Sequence, residues 1–125
     1  MEKGLQIRWT KNILSYKKLI PALKDFPDKS IITFDDDAFY PLNSIEVLYN
    51  EHIIYPDTIV TNRARLIISD KGYVHRYNRW NLIVKETALG RKDVFPTGGH
   101  GQLYPPGSLH QDVFNEDIFM KICKQ

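Results

Sequence analysis

Hydrophobic and polar positions change their period several times along the first third of the chain, which predicts alternating strands and helices. Residues 5–9 (LQIRW) alternate as in a short strand, and residues 18–26 place apolar side chains at helical spacing. Pro21 is compatible with that helix only in its first turn, so the helix is expected to begin near Lys18 and to end before Pro27.

A second strand and a second helix follow directly. The run 30–34 (SIITF) is continuous and β-branched, as is typical of a strand buried on both faces. After an acidic turn, Asn43 precedes Glu46 by three residues, a spacing that predicts a capped helix start. The apolar stripe expected on this helix consists of Ile45, Leu48, Tyr49 and Ile53.

The second half of the chain has the pattern of β-structure. Residues 57–80 are expected to form a strand and a hairpin that turns at residues 70–72 (DKG). Residues 95–110 are punctuated by glycine and proline, as loops are, and the tail from residue 112 predicts a third helix. The order of elements favours an α/β fold, a single domain over residues 1–125 with parallel strands at the sheet centre.

The composition of the chain excludes several functional classes of protein. The 125 residues carry 17 basic and 15 acidic side chains, too even a balance to indicate a nucleic-acid-binding or polybasic membrane surface. No apolar run approaches the roughly 20 residues of a transmembrane helix, and the N-terminus lacks a signal-peptide core. Cys123 is the single cysteine, so no intrachain disulfide can form and a reducing, cytoplasmic location is expected.

Three consecutive aspartates, Asp35 to Asp37, follow the most hydrophobic strand. Ligands of open α/β sheets bind outside the carboxyl ends of the strands. On extended backbone Asp35 and Asp37 would face the same way, as two oxygen ligands suited to Mg²⁺ or Mn²⁺ with phosphate oxygens and water. The alternative is a solvated acidic turn in which Asp36 or Asp37 caps the next helix.

Two known families place an aspartate pair after an apolar strand. Haloacid-dehalogenase-like phosphatases follow Asp-x-Asp with one residue and then Thr or Val, but Phe39 stands at that position here. Nucleotide-sugar glycosyltransferases of the A-type fold end a strand in Asp-x-Asp, and this pattern fits better.

Two longer blocks carry a more specific resemblance. Residues 15–52 (SYKKLIPALKDFPDKSIITFDDDAFYPLNSIEVLYNEH) and 95–123 (FPTGGHGQLYPPGSLHQDVFNEDIFMKIC) resemble, in the same order, a bacterial glycosyltransferase-like family of the A-type, nucleotide-diphospho-sugar transferase, fold. The resemblance spans residues 4–123. It implies a partial A-type mixed sheet with flanking helices and a β-hairpin, and metal-dependent transfer of a sugar from a UDP- or GDP-linked donor to a carbohydrate acceptor hydroxyl.

The resemblance also implies roles for individual residues. Asp35 and Asp37 correspond to the metal-binding pair, with Asp35 nearer the donor's ribose and Asp36 as a supporting carboxylate. Lys17 and Lys18 stand where the family has a basic pair, which could meet a donor phosphate or remain solvated. The segment expected beside sugar and acceptor consists of Gly98, Gly99, His100 and Gly101, with His100 where the family more often has a small residue.

Arg63 and Arg65 alternate on a predicted strand and are expected to share a face. A contact with a phosphate or acceptor acid and a structural ion pair both remain open for them.

Two parts of the resembling family have no counterpart in these 125 residues. They are an N-terminal strand–helix–strand portion and a C-terminal acidic motif that carries the catalytic base, so the chain is expected to be truncated relative to the family and no catalytic residue is assigned. A non-catalytic remnant, binding metal or nucleotide or acting as an oligomerising scaffold, is the alternative function. Unpaired sheet edges would favour a homo-oligomer. Polysaccharide assembly, peripheral to the inner membrane, is the implied setting.

Overall fold

The computed structural model describes residues 4–83 and 91–122, a mixed α/β arrangement of short elements. Cys123 lies outside these ranges. The α-helices described there are α1 (Ile20–Asp25), α2 (Ser44–Ile54) and α3 (Glu116–Ile122), and 3₁₀ helices occur at Leu14–Lys18, Tyr77–Arg79 and Gln111–Phe114. The strands are β1 (Ile31–Thr33), β2 (Val60–Thr61), β3 (Ala64–Leu66), β4 (Ser69–Asp70), β5 (Tyr73–Val74), β6 (Asn81–Ile83), β7 (Val94–Pro96) and β8 (Gln102–Tyr104).

The sheet that carries the acidic turn has the strand order β1-β8-β2. Both outer strands pair antiparallel with β8, so β1 and β2 run in the same direction and α2 connects them. Every strand pair among the described residues is antiparallel, and the expected parallel centre is absent there. The reason is that a late strand, β8, lies between two strands that the β–α–β pattern predicts as neighbours.

The register of this sheet brings three chain segments to one edge. Thr33 at the end of β1 and Thr61 at the end of β2 both stand opposite Gln102, the first residue of β8. The residues after β1, those after β2 and those before β8 therefore meet at the carboxyl edge of the two outer strands.

The remaining strands form a second sheet and a hairpin. The second sheet has the order β6-β3-β7, and β4 pairs with β5 as the predicted hairpin. Its two-residue turn, Lys71-Gly72, has φ values of 48° and 81°, as type I′ turns require.

The helices begin as predicted but α2 buries a different stripe. Pro21 lies in the first turn of α1, and α2 starts directly after Asn43, although the Asn43 side chain makes no capping hydrogen bond. The side chains of α2 that are buried or half-buried are Ser44, Leu48, His52 and Tyr55 at its end. Three members of the predicted stripe, Ile45, Tyr49 and Ile53, are exposed because α2 packs against β2 and β8 through the adjacent side.

Apolar contacts join the two ends of the described chain. Ile13, Ile20 and Phe119 form a small buried cluster, and the ring centroids of Tyr16 and Phe119 are 4.4 Å apart. Glu116 of α3 accepts hydrogen bonds from Lys24 and Lys11, which hold the pKa of the Glu116 carboxyl below its usual value. The helices of the described segments include none long and apolar enough to cross a membrane.

Candidate functional site

Asp35 lies at the shared strand edge, two residues beyond β1, where the loop is held by Tyr40. The backbone N–H of Asp35 donates to the Tyr40 hydroxyl at 2.9 Å, and that hydroxyl donates to the carbonyl of Gly99 at 3.0 Å. The Phe34 ring packs edge-on against Tyr40, with centroids 4.6 Å apart. Tyr40 thus fastens the acidic turn to the glycine segment before β8.

The carboxylate of Asp35 forms an ion pair with Lys18. The Lys18 Nζ contacts Asp35 Oδ1, and the two side chains are 38% and 25% exposed. The sequence left two alternatives for Lys18, a solvated side chain or a contact with a donor phosphate. Neither of them included this ion pair. Lys17 is exposed and, together with Lys18, lines a cavity of about 400 Å³ beside α1.

The glycine segment packs against the other side of the same carboxylate. Gly99 has a φ of 85°, and a Cβ built there would lie 2.8 Å from Asp35 Oδ2. Gly101 has a φ of 87°, and its Cβ would lie 2.6 Å from Cε1 of Phe34. Both positions need glycine for a left-handed backbone and for close approach to a neighbour. These neighbours, Asp35 and Phe34, both lie in the loop that directly follows β1.

Residues after β2 complete the edge. The backbone N–H of Asn62 donates to the Gly101 carbonyl at 3.2 Å, and its side-chain amide donates to the His100 carbonyl at 2.9 Å. Arg63 Nη1 lies 3.3 Å from His100 Nε2. Because a guanidinium can only donate, Nε2 of His100 is the acceptor in this contact. His100 is therefore oriented by a cation.

The two arginines of residues 63–65 do not act together, in contrast to the shared face predicted for them. Arg63 precedes β3 and contacts His100, whereas Arg65 lies on β3. Arg65 donates to the Trp80 carbonyl at 2.8 Å, and its guanidinium stacks 4.9 Å from the centroid of the Tyr77 ring. Arg65 has a structural role, and only Arg63 belongs to the site.

Asp36 and Asp37 occupy a turn and are exposed. The expectation that Asp35 and Asp37 face the same way rested on extended backbone, but β1 ends at Thr33. Within residues 4–83 and 91–122, no three His, Cys, Asp or Glu side chains form a group that could hold a metal ion. The Asp35 carboxylate already has the Lys18 ammonium as its positively charged partner.

Within the described part of the chain, two cavities adjoin Gly99. One, of about 450 Å³, lies on the side of the acidic turn and α2, and its polar lining includes Asn62 and His100. The other, of about 260 Å³, lies on the side of the first 3₁₀ helix. Its polar lining consists of Ser15, Tyr16, Lys18, Thr33, Gln102 and Tyr104.

Tyr104, which is half-buried, supplies a hydroxyl to the smaller cavity. This hydroxyl donates to Oε1 of Gln102, and burial raises the pKa of Tyr104 against the opposing effect of a hydrogen bond with Thr33. The phenol thus stays protonated as a hydrogen-bond donor over the physiological range.

Tyr40 and Asn62 are the site residues that the sequence did not reveal. Tyr40 lies in an apolar stretch of the sequence, which is typical of a packing residue. Asn62 lies in a short connection between strands. A signal for Asn62 exists only if the strand order is known, because β2 must lie beside β8 for Asn62 to reach the glycine segment.

No protein-family model, curated protein or solved structure matches the chain.

Proposed function

We propose that the chain is a glycosyltransferase-like protein that binds a UDP- or GDP-linked sugar at the Asp35 edge of the β1-β8-β2 sheet. The observation that carries the proposal is that Asp35 contacts Lys18 and lies so close to Gly99 that a Cβ there would be 2.8 Å from Asp35 Oδ2. Lys18 and Asp35 belong to the first block of the glycosyltransferase resemblance and Gly99 to the second. A merely solvated acidic turn would not require the two blocks to converge on one carboxylate.

The surroundings of the Asp35 carboxylate suit a donor in which a diphosphate joins a nucleoside to a sugar. Lys18 can meet phosphate oxygens, with Lys17 nearby on the chain, and the cavities of about 450 Å³ and 260 Å³ on either side of Gly99 offer room for nucleoside and sugar. In this proposal the acceptor approaches over the segment 98–101, where His100 is oriented by Arg63.

Mn²⁺ or Mg²⁺ belongs to the same proposal. Asp35 and Asp37 would hold the ion, with Asp36 as a supporting carboxylate. Bound there, the cation would offset the negative charge that develops on a diphosphate leaving group. The finer fold assignment, a partial A-type mixed sheet, is likewise proposed, and it is supported by β1 and β2 running in the same direction around α2.

A non-catalytic binding or scaffolding role is the second candidate. One observation favours it: Ile45, Tyr49 and Ile53 are between 55% and 61% exposed on one side of α2. Exposed apolar side chains at helical spacing are typical of interaction surfaces.

Calorimetric titration with UDP and GDP, with and without Mn²⁺, tests donor binding. We expect binding in the presence of Mn²⁺ and a roughly tenfold or greater loss of affinity in Asp37→Ala, because a charged contact contributes about 1.5–3 kcal/mol. Asp28→Ala, an exposed aspartate before β1, is the matched control and should bind as the unmodified chain does. If neither nucleotide binds, or if Asp37→Ala binds as well as the unmodified chain, the proposed donor site is wrong. The scaffolding role is then the candidate that remains.

A further inference from the structure

Residues 4–12 form an exposed arm whose apolar side chains are not covered by the rest of the described chain. Every residue of the arm is exposed, and the strand predicted for residues 5–9 is not formed. Leu5, Ile7 and Trp9 are 90%, 77% and 97% exposed. Single exposed apolar side chains are ordinary, but three of them at alternate positions, one a tryptophan, form a patch that indicates a partner.

The arm is fixed beside α1. Arg8 Nη1 donates to Asp25 Oδ2 at 2.6 Å, and the Arg8 guanidinium lies 5.0 Å from the centroid of the Phe26 ring. Ile13, directly after the arm, is buried in one cluster with Ile20. The arm is therefore held to the protein on both sides of Trp9, while its apolar side chains stay exposed.

Basic side chains are concentrated at the same place. Trp9 lines a cavity of about 400 Å³ together with five of them, Arg8, Lys11, Lys17, Lys18 and Lys24. No aspartate or glutamate occurs within residues 4–24.

The carboxylates that face this basic cluster do not neutralise it. Lys11 and Lys24 share Glu116, and Lys17 forms no ion pair with another described residue. Arg8 and Lys18 have one carboxylate partner each, so five basic groups stand against three acidic ones. The formal net charge of the whole chain is also +2, and its positive excess is therefore concentrated beside the arm.

An anionic membrane surface would satisfy both the apolar arm and the basic cluster. Tryptophan is enriched at membrane–water interfaces, and basic side chains are attracted to anionic lipids. A small anion in the cavity would leave Leu5 and Ile7 exposed, because neither of them lines it. A second copy that docked through the same surface would bring two positively charged clusters together, which is unfavourable.

We propose that the arm and the basic cluster form a docking surface for a membrane that contains anionic lipids. Leu5, Ile7 and Trp9 enter the headgroup region, and the basic side chains lie against lipid phosphates. Each contribution is modest, so the binding is reversible and requires both. The proposal does not depend on nucleotide binding at Asp35.

Flotation with lipid vesicles measures this binding. We expect the protein to bind vesicles of phosphatidylcholine and phosphatidylglycerol in equal parts, and to bind phosphatidylcholine vesicles several-fold more weakly. Trp9→Ser should weaken binding to the anionic vesicles several-fold. Lys17→Glu should weaken it at least about fivefold, the factor that one basic residue contributes near an anionic surface.

The β4-β5 hairpin supplies the matched controls. Tyr73→Ser removes an aromatic side chain that is 80% exposed, and Lys71→Glu reverses the charge of an exposed lysine. Both residues lie outside the arm and its cavity, so both variants should bind as the unmodified chain does. Circular dichroism of each variant checks that the fold is retained.

Tryptophan fluorescence tests whether the arm enters the membrane. The emission of the unmodified chain should shift to shorter wavelength when anionic vesicles are added. Trp9→Phe should still bind but lose this shift, because phenylalanine is also apolar, whereas Trp80 is the only other tryptophan and is unchanged.

Four results would overturn the proposal. They are an absence of binding to either kind of vesicle, equal binding to both kinds, unchanged binding by Trp9→Ser and Lys17→Glu, and a loss in the hairpin variants as large as theirs. Calorimetric binding of free glycerol phosphate without binding to vesicles would likewise overturn it and would assign the cavity to a small anion.

Discussion

Gly101 is the position in the site that tolerates a side chain least. Its φ is 87°, and a Cβ would lie 2.6 Å from the Phe34 ring and 3.2 Å from the Asn62 amide. Either the Phe34 ring, which packs against Tyr40, or the Gly101 backbone, whose carbonyl accepts a hydrogen bond from the Asn62 N–H, would have to move. A methyl group at this position therefore strains the strand edge that carries the site.

Gly101→Ala is expected to destabilise the protein by roughly 1–3 kcal/mol, the cost of holding a non-glycine residue in a sparsely populated backbone region. The measurement is urea unfolding followed by circular dichroism. Gly98→Ala is the control, because a Cβ at Gly98 meets nothing within 4 Å and no positive φ is required there. Equal midpoints for the two variants would contradict the packing described for Gly101.

Single residues also show how much of the site can be predicted from the sequence. Asp35 and Gly99 can each be singled out from local patterns, because an acidic turn after an apolar strand and a glycine-rich segment are visible in the sequence itself, whereas Lys18 is indicated only by the family resemblance. The ion pair between Lys18 and Asp35 cannot be predicted from local patterns, because it depends on where the fold places the first 3₁₀ helix relative to the loop after β1. Long-range pairing of charges is decided by tertiary packing.

Leu48 is the apolar side chain that α2 buries where it packs against the β1-β8-β2 sheet. Its side chain is fully buried, at 0% exposure, while α2 packs against β2 and β8. The loop that carries Asp35 to Asp37 leads directly into this helix, so the attachment of α2 also restrains the acidic turn.

Leu48→Ala is expected to lower the free energy of unfolding by about 2–5 kcal/mol, the range for removing a buried leucine. Ile53→Ala on the same helix is the control, and its effect should stay within about 0.5 kcal/mol because Ile53 is 61% exposed. Denaturant unfolding of both variants measures the difference. A larger effect at Ile53 than at Leu48 would mean that α2 is oriented differently.

The orientation of α2 illustrates why an element can be predicted while its contacts are not. Helical spacing and the position of Asn43 foretold where the helix begins. Its apolar side chains extend over more than one side, and periodicity alone does not show which side faces the sheet. Only the place of β8 between β1 and β2 settles that Leu48 points inward and Ile45 outward.

The exposed side of α2 is relevant to how whole molecules associate. Ile45, Tyr49 and Ile53 stand four residues apart and form one stripe on the surface. Association of such stripes removes apolar area from water, which is the main favourable contribution to most protein–protein contacts. We therefore expect copies of the chain to associate through α2.

Sedimentation velocity at increasing protein concentration measures this association. The unmodified chain is expected to shift toward dimers or larger species, and Ile53→Glu should reduce the shift, because burying an unpaired charge in the contact is unfavourable. Asn50→Glu adds the same charge to the same helix outside the stripe and should have less effect. A monomer at every concentration would exclude association through this surface.

At the scale of the whole molecule, local sequence patterns were enough to predict the mixed α/β class, the starts of α1 and α2, the hairpin and the positions of the acidic turn and the glycine segment. These features depend on residues that are neighbours along the chain, through hydrophobic period, proline and glycine geometry and turn preference. The tertiary structure alone decided the strand order β1-β8-β2, the buried side of α2 and the pairing of Lys18 with Asp35. Each of these joins segments distant in sequence, and no local pattern specifies which distant segment a strand or a charge will meet.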